Sequence, residues 1–257
     1  MNRNRIITVV FLLCIAAPVR GEKLIVVAEK KEWPRMEILK PYLESHTNYD
    51  MQIVDQPDFP DDLTPYDAAI MYVHGDLRPS IEKALLTFAK SGKRLIVLHH
   101  GISSAKRKNE TWLQTLGIYL GQNDDPYPYS WKHDVNIHFV NLQPDHYITS
   151  HDVTYEKTVK YTSSDLPSVE CELPAIEFIN SEVFLNYQFT DARAKTVLFG
   201  LLYTVPETGN VYMQDRAGWY KPLGKGWVFS FQPGHMDSDF ERESYCQIIC
   251  NCLTWKP

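Results

Sequence analysis

The sequence predicts an α/β protein built on a doubly wound, mostly parallel sheet, and three observations predict it. From Lys23 onward, short aliphatic runs alternate with amphipathic segments, as βαβ units require. The run Leu95, Ile96, Val97, Leu98 is apolar at every position, as in a strand buried on both faces. That run stops abruptly at His99, His100 and Gly101, and the carboxyl ends of strands are where ligands bind in open α/β sheets.

The elements follow in order. Arg3 and Arg5, an apolar core from Ile6 to Ala17, and Val19, Arg20, Gly21 read as an export signal over residues 1–21. The mature chain, 22–257, is expected to be a single domain in the periplasm or outside the cell. A lipoprotein is disfavoured because Leu13, before Cys14, stands where lipid attachment wants a small residue. Lys23 to Ala28 is a first strand. Pro34 suits a helix start, and Met36, Leu39 and Leu43 give it an apolar stripe ending near His46. Met51 to Val54 is a second strand, and the proline-rich Asp55 to Pro65 a loop before a third, Ala68 to Val73. A helix opening at Pro79 turns Ile81, Leu85, Phe88 and Ala89 inward and closes at Gly92, before the strand that ends at His99. Glu110 to Leu120 is a further helix. Beyond Gly121 the texture changes to strands and long loops, a β-rich insertion with strands at Val135–Leu142, Val159–Thr162, Val183–Phe189 and Thr196–Thr204. Gly226 to Phe231 returns to the sheet, and Ser238 with Glu241 forms a capping box for a last helix, Asp239 to Trp255. This order resembles a flavodoxin-like core.

Composition narrows the function. The 257 residues are 44% apolar, ample for a packed core, and the formal charge of −6 would become −9 on loss of Arg3, Arg5 and Arg20 with the signal. No basic stripe with interleaved aromatics occurs, which argues against nucleic acid and for a small polar ligand. The apolar run near the N-terminus is too short for a transmembrane span, which needs roughly 20 residues. The oligomeric state is open. Cys246 and Cys250 share a helical face with Ile249 and Leu253 and read as core thiols, while export would permit a Cys171–Cys252 disulfide. Asn109, Glu110, Thr111 is a glycosylation sequon.

His99 occupies the strand-to-helix turn where α/β hydrolases and amidotransferases keep a nucleophile. An imidazole there can serve as metal ligand, general base or hydrogen-bond donor, but substitutes poorly for a thiol. A second strand delivers His235 in the same way, through Phe231, Gln232, Pro233, Gly234. His74 ends the third strand and flanks both, as does His100. The aromatic residues Tyr129, Trp131 and Trp219 are candidates to pack against the apolar face of a sugar, or else cover an edge of the core.

At these residues the chain resembles the ThuA-like (trehalose utilisation) family of the class I glutamine amidotransferase-like superfamily. Leu98 His99 His100 Gly101 resembles the family's L-H-x-[AG] turn, and Trp131 Lys132 His133 Asp134 Val135 its next strand-leading histidine. Asp145 His146 Tyr147 Ile148 Thr149 resembles an H-P-I-T segment, Ser181 Glu182 Val183 Phe184 a D-E-x-Y segment, and Gly224 to His235 the G-K-G-R-V-x-Y-x-x-x-G-H stretch. The resemblance implies a site over His99, His133, Glu182 and His235, and no amidotransferase chemistry, since the turn lacks cysteine. It suggests hydrolysis, elimination or isomerisation of a carbohydrate or oxidised sugar, with Glu182 and a histidine trading a proton. The same four residues could hold a divalent metal such as zinc, although no H-x-x-x-H spacing calls for one. His138, five residues from His133 on a strand, is expected on the opposite face. The rival reading is a non-catalytic carbohydrate-binding protein, in which the histidines and Glu182 stay apart; a surface-complex protein would instead expose an apolar patch.

Overall fold

A computed structural model describes residues 21–162, 170–191 and 194–257; the expected signal lies outside them, apart from Gly21. The elements are β1 (Glu22–Ala28), α1 (Trp33–His46), β2 (Tyr49–Val54), β3 (Ala68–Tyr72), α2 (Pro79–Lys90), β4 (Arg94–Leu98), α3 (Glu110–Leu116), β5 (Ile118–Leu120), β6 (Ser130–Asn141), α4 (Tyr147–Ser150), β7 (Lys157–Thr162), β8 (Glu170–Leu185), β9 (Tyr187–Phe189), β10 (Thr196–Thr204), β11 (Val211–Leu223), β12 (Gly226–Phe231), α5 (Asp237–Phe240) and α6 (Glu243–Thr254).

Among the described residues, one ten-stranded sheet runs β2-β1-β3-β4-β12-β11-β10-β6-β8-β7, and β5 pairs with β9 separately. The sheet is mixed: β2, β1, β3, β4 and β12 pair in parallel, whereas every pairing from β12 through β11 to β7 is antiparallel. Every residue of β3 is buried, as are Leu95 to Leu98 of β4, because helices cover these central strands. Residues of α1 and α6 share one apolar cluster with the sheet, and residues of α2 and α3 share another.

Four expectations are corrected. The helix after Asn109 stops at Leu116, because Gly117 takes a left-handed φ of 67° and the chain leaves as β5. The last helix is two: α5 with an Asp239-based cap, then α6. All four cysteines described are free, with Cys171 exposed and Cys252 buried, so the suggested disulfide does not form. Asn109 is buried and its amide donates to the Leu77 carbonyl and to Glu82, which leaves the sequon nitrogen engaged. No helix among the described residues is long and apolar enough to cross a membrane.

Candidate active site

The site is built where four strands deliver polar side chains to one place. β4 ends at Leu98, and the chain turns at once through His99, whose φ of 41° is rare for a residue with a side chain. Its neighbour β12 ends at Phe231, and Gln232 to Gly234 lead to His235. Gly234 adopts a φ of 127°, and a Cβ there would come within 3.4 Å of the His99 Cβ, so glycine lets the two turns approach. β8 contributes Glu182. On β6 the pairing register with β8 slips between Lys132 and Val135, which places His133 and Asp134 in a bulge across from Glu182.

Glu182 is the hub. Its Oε2 lies 2.9 Å from His99 Nε2, 3.2 Å from His235 Nδ1 and 3.5 Å from His100 Nε2, while its Oε1 lies 3.2 Å from His133 Nδ1. His99 Nε2 and His235 Nδ1 are 3.3 Å apart. The four sequence-predicted residues His99, His133, Glu182 and His235 are therefore together, and His100 joins them.

The supporting contacts fix which nitrogen carries the proton. His99 Nδ1 is 2.6 Å from the Gln232 carbonyl oxygen, which can only accept, so Nδ1 carries a proton and Nε2 is the nitrogen turned to the cluster. Trp131 Nε1 donates to His133 Nε2 at 3.1 Å, so the His133 proton is on Nδ1, the nitrogen 3.2 Å from Glu182 Oε1. The His99 ring stacks on Phe184 at 4.7 Å between centroids, and His74 stacks on His100 at 4.0 Å. Burial pushes the Glu182 carboxyl up, but the hydrogen bonds from His100, His235 and His99 outweigh it and hold the group well below the usual carboxylate range. Burial, joined by charge on His99, pushes the His100 imidazole down to about 2, so this ring is neutral.

Two positioning residues went unread in the sequence. The Asp239 Oδ2 accepts from the backbone nitrogens of Gly234 (3.1 Å), His235 (2.8 Å) and Met236 (3.2 Å), and from Ser181 Oγ at 2.6 Å, tying the His235 loop to the residue before Glu182. The Gln232 side chain bridges the backbone of Phe184, accepting from its nitrogen and donating to its oxygen, both at 3.1 Å.

The remaining expectations divide. Exposed Trp131 and buried Tyr129 have ring centroids 6.2 Å apart, and Tyr129 lies 6.0 Å from Phe184, so aromatic rings lead from the rim to the floor beneath His99. His74 stands half-exposed at the other side, with Nδ1 3.6 Å from Glu32. Trp219 is fully buried inside β11, under the Lys195 ammonium, and presents no face to a ligand. His138 stays away from the cluster, beside Glu177. His146 caps α4 and reaches the Tyr220 hydroxyl, a structural role.

A mixed α/β sheet whose strand ends gather four imidazoles around one buried carboxylate defines a compact polar centre. Residues 23–256 match the family model ThuA, "Trehalose utilisation", and the chain belongs to that family. Among solved structures it is similar to a ThuA-like protein of Bacteroides uniformis, at 12% identity and a TM-score of 0.61, with 94% of each chain covered. It is also similar in fold to a β-galactosidase of Bacillus circulans sp. alkalophilus, at 9% identity and a TM-score of 0.53, over 89% of this chain and 30% of that one. No curated protein matches it in sequence.

Proposed function

We propose that this chain is an exported enzyme that transfers a proton on a small carbohydrate or oxidised sugar, with the Glu182–His133 pair as the acid/base. The observation that carries the reading is the oriented dyad itself. His133 Nδ1 carries the ring proton and lies 3.2 Å from Glu182 Oε1, so Nε2 is the basic nitrogen, and it faces the half-exposed rim where Trp131 donates to it. A ligand hydroxyl, or a C–H beside a carbonyl, that displaces the Trp131 donor meets a base whose positive charge the carboxylate then stabilises. A non-catalytic binder has no need to bring carboxylate and imidazoles within hydrogen-bonding distance of each other.

The sugar assignment is supported by the family description and by the aromatic rings at the mouth, where an apolar sugar face can pack on Trp131. Elimination and isomerisation of an oxidised sugar begin with removal of the proton beside its carbonyl, and hydrolysis with removal of one from water, so one base serves each. The flavodoxin-like, doubly wound arrangement with a β-rich insertion, and the export of the chain, belong to this reading. The test is turnover of a panel of disaccharides and their keto derivatives, followed by nuclear magnetic resonance. His133→Ala is expected to lower kcat by about 10²–10⁴-fold with a smaller change in KM. Turnover of a confirmed substrate by His133→Ala at the wild-type rate would place the chemistry elsewhere.

A further inference from the structure

We infer that the floor of this site is a divalent-metal centre of the zinc class, held by His99 Nε2, His100 Nε2, His235 Nδ1 and Glu182 Oε2, with His133 outside the ligand set. The inference deepens the proposed function and rests on its reading of the Glu182 cluster as the reacting centre.

Geometry is the first argument. The four atoms lie within 4.8 Å of one another. Zinc bound tetrahedrally to nitrogen and oxygen at about 2.0–2.1 Å separates its ligand atoms by about 3.3 Å. Four of the six separations here are 2.9, 3.2, 3.3 and 3.5 Å. These four separations are close to those a tetrahedral ion imposes, and the other two lie within 4.8 Å.

The second argument is the sign of what converges. With Nδ1 committed to the Gln232 carbonyl, His99 turns Nε2 to a carboxylate oxygen and to a ring nitrogen of His235, so protons or an ion must separate the lone pairs that meet there. Lone pairs facing one another repel unless a positive charge lies between them. A proton bridges one pair of atoms along one line, whereas four ligand atoms gathered within 4.8 Å suit a single ion bonded to all of them.

The surroundings are those of a metal site. Ligand histidines commonly donate their other nitrogen to a backbone carbonyl, as His99 does to Gln232. The second oxygen of the ligating carboxylate has its own neighbour, His133 Nδ1 at 3.2 Å, so His133 orients Glu182 instead of binding the ion. Neutral imidazoles and one carboxylate favour zinc and its neighbours over calcium or magnesium, which prefer oxygen alone. His99, His100 and Glu182 are buried, while His235 is partly open to solvent and gives an ion its way in. An ion there would sit beside the Glu182–His133 pair and, by expanding from four to five ligands when a substrate binds, could polarise a ligand oxygen that the pair deprotonates.

The test uses the intact chain, stripped with chelator and titrated with Zn²⁺, and with Co²⁺ for its visible absorption. One ion per chain is expected, with a cobalt spectrum of a four-coordinate nitrogen/oxygen site. His99→Ala, His235→Ala and Glu182→Gln should each weaken Zn²⁺ binding on the order of 100-fold or more, while His133→Ala costs about 10-fold and keeps the one-to-one stoichiometry. Circular dichroism checks that each variant folds, and His235→Ala, at the open edge, keeps the test alive if Glu182→Gln does not. Zn²⁺ affinity that is the same in wild type, His99→Ala and His235→Ala would overturn the inference, as would loss of the ion in His133→Ala alone. Sugar turnover by metal-free protein at the undiminished rate would end the metal reading and leave the proton-transfer reading standing. One tightly bound ion with no turnover of any sugar would do the reverse.

Discussion

His99 holds a left-handed backbone that costs a residue with a side chain about 1–3 kcal/mol, and the contacts around it hold it there. Its ring is clamped between the Gln232 carbonyl, Glu182 and the face of Phe184. The same division between a reacting group and its supports recurs at His235, whose backbone nitrogen is one of four donors on a single oxygen of Asp239. Asp239→Ala strands those donors in a buried place and is expected to cost about 3 kcal/mol or more, read as a fall in the urea midpoint. It should also weaken whatever the His235 ring binds. The two strand-end histidines were legible in sequence because a buried strand has no packing reason to end in imidazole. Asp239 and Gln232 were not, since they act on backbone groups that only the folded chain brings to them. His133 and Glu182 were found through family motifs alone, and the motifs did not reveal that His133 takes the outer oxygen of Glu182 while His100 takes the inner one.

Elements set the rim of the site through an internal tether. The segment after β3 carries His74, and the buried Lys106 ammonium donates to the carbonyls of Val73, His74 and Gly75, pinning that segment. Burial pushes Lys106 down to about 7 from an ordinary 10.5. Between those two values the folded chain carries fewer protons than the unfolded one, so this group makes stability rise with pH across that window and contributes no such slope below it. Lys106→Met should therefore flatten the rise in urea midpoint between pH 7 and pH 10 relative to wild type, and loosen His74 from its stack on His100. Strand β11 shows why some elements were invisible. Asp215, Arg216, Gly218 and Pro222 break any alternation of apolar and polar residues along it. It is a strand because β10 and β12 both pair with it, and that pairing carries Trp219 into the core rather than the site.

Over the whole molecule, the site joins β4, β8 and β12 with the β6 bulge, so anything that bridges these side chains ties together segments far apart in the chain. An ion at the proposed centre would bind the folded chain alone. At a concentration 100 times its Kd it should add about 2.7 kcal/mol. For a protein of this size that is a rise in Tm of roughly 5–10 °C. Thermal unfolding of stripped protein with and without Zn²⁺ should show the rise in wild type and in His133→Ala, and lose it in Glu182→Gln. The parallel half of the sheet was readable because its central strands carry short aliphatic runs, such as Leu95 to Leu98, and its helices have their own start and stop signals. The antiparallel half was read only in part, because its order in the sheet departs from its order in the chain. Local pattern thus sufficed for the α/β class, the central strand cores and the placing of His99 and His235 at strand ends, since each depends on side chains a few residues apart. Which atoms share a point was settled by the turn at His99, the bulge at His133 and the pairing of β4 with β12. Those are relations between backbones separated by scores of residues, and packing alone brings them within a few ångströms.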